Sequence, residues 1–179
     1  MIIGITGTNA SGKDTAANFF TDRDFDSFSL SDIIREEAKK RNLESTRDNL
    51  RNLGKELREK FGPSYLSEQT LKKIKKNSIV TSIRHPKEVT VLKEAKGFFL
   101  IAVDAPIKLR YERAKKRERG EQDAKSFESF KKQEKYEFNK KGSGQQLGVC
   151  MEMADYKIEN SETKEKFYQK LEELFNQIK

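Results

Sequence analysis

A glycine-rich loop near the start of the chain constrains its fold more than any other feature. Residues Gly4 to Phe20 read GITGTNASGKDTAANFF, and Gly7 to Lys13 have the spacing G-x-x-x-x-G-K. The apolar run Ile2 to Thr6 before the loop predicts a buried β-strand, and Lys13 to Phe20 predicts a helix. A strand, a glycine-rich turn and a helix in this order predict a phosphate-binding loop in an α/β fold.

The residues of this loop suit phosphate chemically. Gly7 and Gly12 permit backbone angles and a close approach that a side chain would hinder, so successive amides can converge on phosphate oxygens. The helix start adds partial positive charge, and Lys13 can reach the outer phosphates. The predicted nucleotide-binding residues are Gly7, Thr8, Asn9, Ala10, Ser11, Gly12, Lys13, Asp14 and Thr15.

The remaining apolar runs predict a parallel sheet. Besides the first run, strands are predicted at Phe25–Leu30, Ser78–Ile83 and Phe98–Val103, with a weaker one at Tyr156–Ile158. Helical segments separate them, which favours a three-layer α/β/α sandwich with a five-stranded parallel sheet.

Two segments interrupt the alternation of strands and helices within a predicted single domain, 1–179. The first, about residues 32–76, is helical; the second, about residues 120–149, is polar. Insertions of this kind commonly carry substrate-binding and lid elements. The last helix has an apolar stripe, with Asn160 or Ser161 as its predicted cap; the stripe is formed by Phe167, Leu171, Leu174, Phe175 and Ile178.

Composition narrows the possible partners. The formal charge of +8 suits an anionic ligand and would also suit RNA, but the lysines alternate with glutamates and so resemble solvated helix faces. Cys150, the single cysteine, is expected to be a small buried thiol in a reducing compartment. We find no signal peptide and no apolar run of membrane-spanning length, and expect a soluble cytoplasmic protein.

Five stretches together resemble the P-loop kinases of small substrates, the group that includes adenylate kinase, other nucleoside monophosphate kinases and dephospho-CoA kinase. In chain order they are GITGTNASGKDT, SLSDIIREE, SIRHP, VDAPIKLRYERAKKRERG and ADYKIENSETKEK, which span nearly the whole chain. Only the first is specific by itself. The resemblance implies a P-loop NTPase fold like that of nucleoside monophosphate kinases, ATP as phosphate donor and Mg²⁺ as cofactor.

The resemblance also implies roles for arginines on the donor side. Arg110, Arg113 and Arg117 share one helix face after the fourth predicted strand. By resemblance, Arg113 lies against the donor adenine and Arg117 contacts the phosphates as the lid closes. The alternative for this face is a solvated basic stripe near a helix end.

On the acceptor side, which receives the phosphoryl group, the predicted set is Asp32, Arg35, Arg58 and Arg84. Arg84 follows a predicted strand end, where ligands bind in open α/β sheets. Arg58 projects on the same side of a predicted helix as Arg47 and Arg51, although an ordinary amphipathic helix explains at least one of these three. The predicted catalytic residues are Lys13, Asp32, Arg84 and Arg117. His85 is expected in a loop or on the surface, without a catalytic role.

The sequence departs from the resemblance at two places. Related kinases usually end the third strand with an acid that helps to hold magnesium, whereas Thr81 or Ser82 stands here. Asp14 in turn replaces the loop hydroxyl, where a carboxylate repels phosphate unless a cation lies between them. Our hypothesis is that Asp14 supplies the magnesium carboxylate and that Thr15 supports the loop.

Three functions remain open from the sequence. The arginines favour a (deoxy)nucleoside monophosphate kinase, because an ionised phosphate acceptor needs cations and no general base. A dephospho-CoA kinase is the alternative, with Asp32 as the base for a sugar hydroxyl. A nucleotide-binding regulator or RNA-associated protein with weak turnover is the third, since the strand acid is missing. The sequence predicts neither the acceptor's base and sugar nor the oligomeric state.

Overall fold

The five strands lie where the apolar runs predict them. The computed structural model describes residues 1–74, 76–116, 126–138 and 144–179. Its strands are β1 (Ile2–Gly7), β2 (Asp26–Ser29), β3 (Ser78–Thr81), β4 (Phe98–Asp104) and β5 (Tyr156–Glu159). The third run ends earlier than predicted because Ser82 has a positive φ of 63°, which turns the chain out of the sheet.

The strands form one parallel sheet in the order β2-β3-β1-β4-β5. β1 is central and pairs with β3 on one side and with β4 on the other. Since the chain leaves β1 toward one half of the sheet and returns later to the other half, a crevice opens at the carboxyl ends of β1 and β3. The glycine-rich loop follows β1 at this edge.

Nine helices are described, on both faces of the sheet. They are α1 (Lys13–Thr21), α2 (Leu30–Lys40), α3 (Arg47–Phe61), α4 (Tyr65–Leu71), α5 (Pro86–Lys93), α6 (Ile107–Lys116), α7 (Phe127–Phe138), α8 (Leu147–Glu152) and α9 (Lys164–Ile178). The predicted α/β/α sandwich is therefore confirmed.

Alternate residues of the strands face two separate cores. Ile79 packs with α1 and α9, whereas its neighbour Val80 packs with α2 to α5 and α8. β4 shows the same division between Ile101 and Leu100. Burial on both faces explains why the strands read as continuous apolar runs. Cys150 is fully buried in the second core, as predicted, and this burial raises the pKa of its thiol.

The last helix has its predicted apolar stripe and a different cap. The stripe is buried as expected, at Phe167, Leu171, Leu174, Phe175 and Ile178. The prediction of Asn160 or Ser161 as the cap is wrong: Thr163 is the N-cap, and its hydroxyl accepts from the amide of Lys166 at 3.3 Å. Asn160 lies before the helix and contacts the glycine-rich loop instead.

The two predicted insertions carry helices rather than strands in the described residues. α2, α3 and α4 fill the segment between β2 and β3, and α7 and α8 lie between β4 and β5. Parts of the predicted lid, residues 117–125 and 139–143, are outside the described residues. In the described part of the chain, no helix is long and apolar enough to cross a membrane.

Candidate functional site

The glycine-rich loop has the backbone geometry that its motif predicts. Gly7 has a φ of 141°, and a Cβ there would lie 1.9 Å from the carbonyl oxygen of Val103 in β4. Gly12, with a φ of 107°, precedes α1, and a Cβ there would lie 2.3 Å from Nδ2 of Asn160. Glycine is therefore required at both positions, by conformation and by space.

Polar contacts hold the loop against the ends of β4 and β5. The hydroxyl of Thr8 donates to Oδ1 of Asp104 at 2.5 Å, and Nζ of Lys13 donates to the carbonyl of Thr8. Nδ2 of Asn160 donates to the carbonyl of Ser11 at 2.9 Å. The buried hydroxyl of Ser11 has no hydrogen-bond partner among the residues that the structure describes. The loop is thus anchored through the hydroxyl of Thr8 and the carbonyls of Thr8 and Ser11.

The two described arginines of α6 differ in their contacts. Arg110 is buried; its Nε donates to the carbonyl of Ala105 at 2.6 Å and its Nη2 to Glu134 at 3.0 Å, so it joins α6 to α7. Arg113 donates to Oδ1 of Asn160 at 3.4 Å, beside the loop. Arg113 therefore lies beside the glycine-rich loop, and its contact with the donor adenine stays a prediction. Arg117 lies outside the described residues.

The loop by itself has too few oxygen ligands for magnesium, and the phosphates of a bound nucleotide would have to supply others. Asp14 is exposed in the first turn of α1, and Thr15 is half-buried beside it. Within the described ranges, no group of three or more His, Cys, Asp or Glu side chains could hold a metal ion. Because Mg²⁺ commonly takes one or two protein oxygens and completes its octahedron with phosphate and water, Asp14 and Thr15 fit such a shell. They would supply its protein oxygens, and the ion would neutralise phosphate charge.

A cavity of ≈ 360 Å³ lies between the glycine-rich loop and the helices of the first insertion. Five arginines line it: Arg35, Arg47, Arg51, Arg58 and Arg84. Its apolar lining is Leu30, Ile34, Leu50 and Leu66, and Asn9 of the loop lies at its border. Among the described residues lining this cavity, Glu137 is the one carboxylate. A cavity with this lining suits a ligand that is anionic at one end and apolar at the other.

Arg84 stands at the carboxyl end of β3, after the turn at Ser82. Its side chain keeps 35% of its area exposed, and its Nη1 donates to Gln145 at 3.1 Å. The nearest carboxylate contact of Nη1 is Glu137 at 3.9 Å. Desolvation lowers the pKa of Arg84; Glu137 opposes that shift and the charge of Arg47 adds to it. Arg84 is thus a cation in the cavity, with no ion pair shorter than 3.9 Å to any residue that the structure describes.

Arg58 lines the same cavity but is tied to an internal carboxylate. Its side chain is 4% exposed, and its Nε and Nη2 lie 2.9 and 2.7 Å from Oε1 of Glu88, which is fully buried. Oε2 of Glu88 accepts from the amides of Arg84 and His85 at 2.9 and 3.0 Å. We name Arg58, Glu88 and these two amides the α3–α5 clasp. The clasp connects the first insertion to the turn that carries Arg84.

His85 lies in the loop before α5, one of the two places expected for it, but it is buried rather than on the surface. It is 4% exposed and is the N-cap of α5, where its Nδ1 accepts from the amide of Lys87 at 3.2 Å. Together with Glu88 it forms a capping box. The Glu three residues after the cap, followed by apolar Val89, is the sequence signal that identifies such an end.

Asp32 and Arg35 form an exposed ion pair. They pair with each other, with 2.8 Å between Arg35 Nη1 and Asp32 Oδ1, and their side chains are 54% and 55% exposed. Arg35 lines the cavity, whereas Asp32 is absent from its described lining. The structure thus brings Arg35, Arg58 and Arg84 together and leaves Asp32 outside.

Three side chains of this site were missed from the sequence. Glu88 is marked in the sequence only by the capping box of α5, and Asn160, in the stretch ADYKIENSETKEK, was expected only as a helix cap. Glu137 stands in the polar helix α7, yet its Oε1 accepts from Nη2 of Arg47 at 2.7 Å and its side chain is 7% exposed. Burial raises the pKa of Glu137, but the charges of Arg84 and Arg47 outweigh this and hold it below its ordinary value. The carboxylate is therefore ionised near neutral pH.

The parallel sheet, the loop after its central strand and the helices over both faces define a P-loop kinase-like fold. Two solved structures support it across nearly the whole chain. A protein from Thermus thermophilus matches with a TM-score of 0.64 at 18% identity, covering 100% of this chain and 98% of that one. The shikimate kinase of Bacteroides thetaiotaomicron matches with a TM-score of 0.61 at 14% identity, covering 98% of each.

Sequence relatives give the family. Residues 3–137 match the family model described as an AAA domain. A UPF0200 protein of Pyrococcus horikoshii is 33% identical over 99% of this chain and 97% of its own length. A UPF0200/UPF0201 protein of Archaeoglobus fulgidus is 34% identical over 97% of this chain, which spans only 54% of that relative. The chain therefore belongs to the AAA-domain family and to the UPF0200 proteins.

Proposed function

We propose that this chain is a Mg-ATP-dependent nucleoside monophosphate kinase, with ATP on the glycine-rich loop and the acceptor in the arginine-lined cavity. The observation that carries the proposal is the cavity itself: five arginines and an apolar wall border Asn9 of the loop. Phosphoryl transfer asks a protein chiefly for positioning and positive charge around the transferring group. Lys13 on the donor side and Arg84 on the acceptor side supply that charge.

The carboxylates favour a phosphate acceptor over a hydroxyl acceptor. A hydroxyl needs a general base within hydrogen-bond reach. Asp32 is absent from the described cavity lining and pairs with Arg35, and Glu137, in the cavity, is held by Arg47. A monophosphate attacks with an oxygen that is already ionised at neutral pH and needs no base. The apolar residues Leu30, Ile34, Leu50 and Leu66 offer a surface for the base of the nucleotide.

An acceptor screen tests this function. Purified protein with ATP and Mg²⁺ should release ADP only when a matching acceptor is added, and the panel holds the common ribo- and deoxyribonucleoside monophosphates, dephospho-CoA and shikimate. Release with a monophosphate supports the proposal. Release with dephospho-CoA or shikimate alone replaces it with a hydroxyl kinase, and ATP binding without acceptor-dependent release favours a regulator or RNA-associated protein.

Two variants assign the turnover to this site. Lys13→Ala should abolish productive ATP binding, and Arg84→Ala should reduce acceptor-dependent turnover by about 10³ or more, because it removes a cation from the transferring phosphate. Arg23→Ala is the matched control, since Arg23 follows the opposite end of α1 and pairs with Glu172. Equal losses in Arg84→Ala and Arg23→Ala would contradict the assignment.

A further inference from the structure

A carboxylate of the lid helix α7 lies inside the arginine cluster of the cavity. Oε1 of Glu137 accepts from Arg47 at 2.7 Å, and its Oε2 lies 3.9 Å from Nη1 of Arg84. α7 reads FESFKKQEKYEF, and its buried residues are Phe130 and Glu137. Because a glutamate is rarely buried unless it is paired, its burial at this position depends on those arginines.

The contacts of Glu137 are those of a bound anion. Guanidinium groups recognise carboxylate and phosphate oxygens with the same donors. Arg47 comes from α3 of the first insertion, and Arg84 comes from the turn between β3 and α5. The carboxylate of Glu137 thus joins two separate elements around the cavity, as the anionic group of a ligand would.

We propose that Glu137 is a tethered competitor of the acceptor, with its carboxylate in the place between Arg47 and Arg84 that an anionic group of the acceptor takes. This inference rests on the proposed function, because it takes the cavity as the acceptor site. The acceptor binds when Glu137 leaves, and its arrival therefore releases α7 from the first insertion. Binding of the acceptor and movement of the lid helix are in this way one event.

Competition by Glu137 predicts the direction in which a substitution of Glu137 changes the affinity for the acceptor. When only a fraction of the molecules is in the binding-competent state, the apparent affinity is the intrinsic affinity multiplied by that fraction. Removing the charge of Glu137 while keeping its size should increase that fraction and tighten acceptor binding by about tenfold. If Glu137 instead served to orient the arginines for the acceptor, the same substitution would weaken binding.

The test compares Glu137→Gln with Glu128→Gln in the full-length protein. Both substitutions remove one negative charge from α7, and Glu128 is exposed, so long-range electrostatic effects are matched. Calorimetry measures the binding of AMP and of inorganic phosphate, with the glycine-rich loop filled by Mg²⁺ and a non-hydrolysable ATP analogue. We expect a gain of about tenfold in Glu137→Gln alone, which is lost when Arg84→Ala is added. Tighter binding of AMP or of phosphate supports the competitor role. Binding of both probes that is unchanged or weaker overturns it.

A fluorescence measurement follows α7 itself. The chain has no tryptophan, so Tyr136→Trp introduces a single reporter beside Glu137 on a residue that is 45% exposed. AMP should shift the emission in this background, and Glu137→Gln should produce the shift without AMP. Unchanged emission in Glu137→Gln would overturn the release of α7.

The two proposals fail on different measurements. The kinase function fails when no acceptor supports ADP release, whatever the two glutamine variants show. The competitor role fails when phosphate and AMP bind equally well to Glu137→Gln and Glu128→Gln, even in an active kinase.

Discussion

Asp14 illustrates at the residue scale how one side chain can serve two physical roles. It stands in the first turn of α1, where a carboxylate is favourable beside the positive helix end even without a metal. In the proposed function it also supplies an oxygen to magnesium. The third strand has only hydroxyls at the corresponding edge: Thr81 donates to the carbonyl of Phe28, and Ser82 lies 2.9 Å from the hydroxyl of Ser29.

Substitution of Asp14 should separate these two roles. We expect Asp14→Ser to raise the Mg²⁺ concentration needed for half-maximal turnover about tenfold, because the shell loses a charged ligand. The free energy of unfolding should fall by less than about 1 kcal/mol, the size of a helix-end charge effect. Magnesium titrations of turnover and urea unfolding measure the two quantities.

Asp22→Asn is the control for Asp14→Ser, since Asp22 caps the other end of α1 and loses the same charge. It should leave the magnesium requirement unchanged. If Asp14→Ser also leaves the magnesium requirement and turnover unchanged, Asp14 is not a magnesium ligand.

At the scale of elements, the α3–α5 clasp holds the turn that carries Arg84. Glu88 is fully buried and receives Arg58 on one oxygen and the amides of Arg84 and His85 on the other. With these donors, both oxygens of the buried carboxylate have hydrogen-bond partners. Removal of the charge of Glu88 or of Arg58 would leave the other charge buried without a counter-charge. The helix of the insertion and the turn of Arg84 are therefore held as one unit.

Glu88→Gln should consequently be costly. We expect the free energy of unfolding to fall by about 3–5 kcal/mol, because Arg58 stays buried without a carboxylate. Chemical unfolding monitored by circular dichroism measures this. At a temperature where the variant stays folded, the KM for the acceptor should rise more than the KM for ATP, since the turn of Arg84 loses its support.

The matched control for the clasp is Glu59→Gln on the same α3. Glu59 pairs with Lys55 at 3.3 Å, with side chains 52% and 47% exposed. An exposed pair of this kind is worth about 0.5 kcal/mol or less. Similar losses of stability in Glu88→Gln and Glu59→Gln would show that the clasp is not a stabilising buried pair.

At the scale of the whole molecule, the site joins segments that are distant in sequence at one edge of the sheet. The glycine-rich loop follows β1, Arg84 follows β3, and Asn160 follows β5. The carboxyl ends of parallel strands lie at the same edge of a sheet. These segments therefore meet although no short stretch of the sequence predicts contacts between them. A ligand bound there should stabilise the fold as a whole.

Thermal unfolding measures this stabilisation. Mg-ATP at about 100 times its Kd should add about 2.7 kcal/mol to the free energy of unfolding. For a chain of this size that corresponds to a rise in Tm of about 5–10 °C. Lys13→Ala should lose the rise, whereas Lys96→Ala, at an exposed lysine before β4, should keep it. A full rise in Lys13→Ala would exclude the glycine-rich loop as the ATP site.

The sequence by itself determined the sheet, the phosphate loop and the arginines of the cavity, because each depends on short-range patterns. Buried strands read as apolar runs, the tight turn requires Gly7 and Gly12, and Arg84 comes shortly after the end of β3. Only the tertiary structure decided which charges pair. Arg58 with Glu88, and Arg47 with Glu137, are 30 and 90 residues apart in sequence. Such pairs depend on how whole helices pack, and this packing leaves no periodic pattern in the sequence. For that reason the carboxylate of Glu137 in the arginine-lined cavity was found only from the tertiary structure.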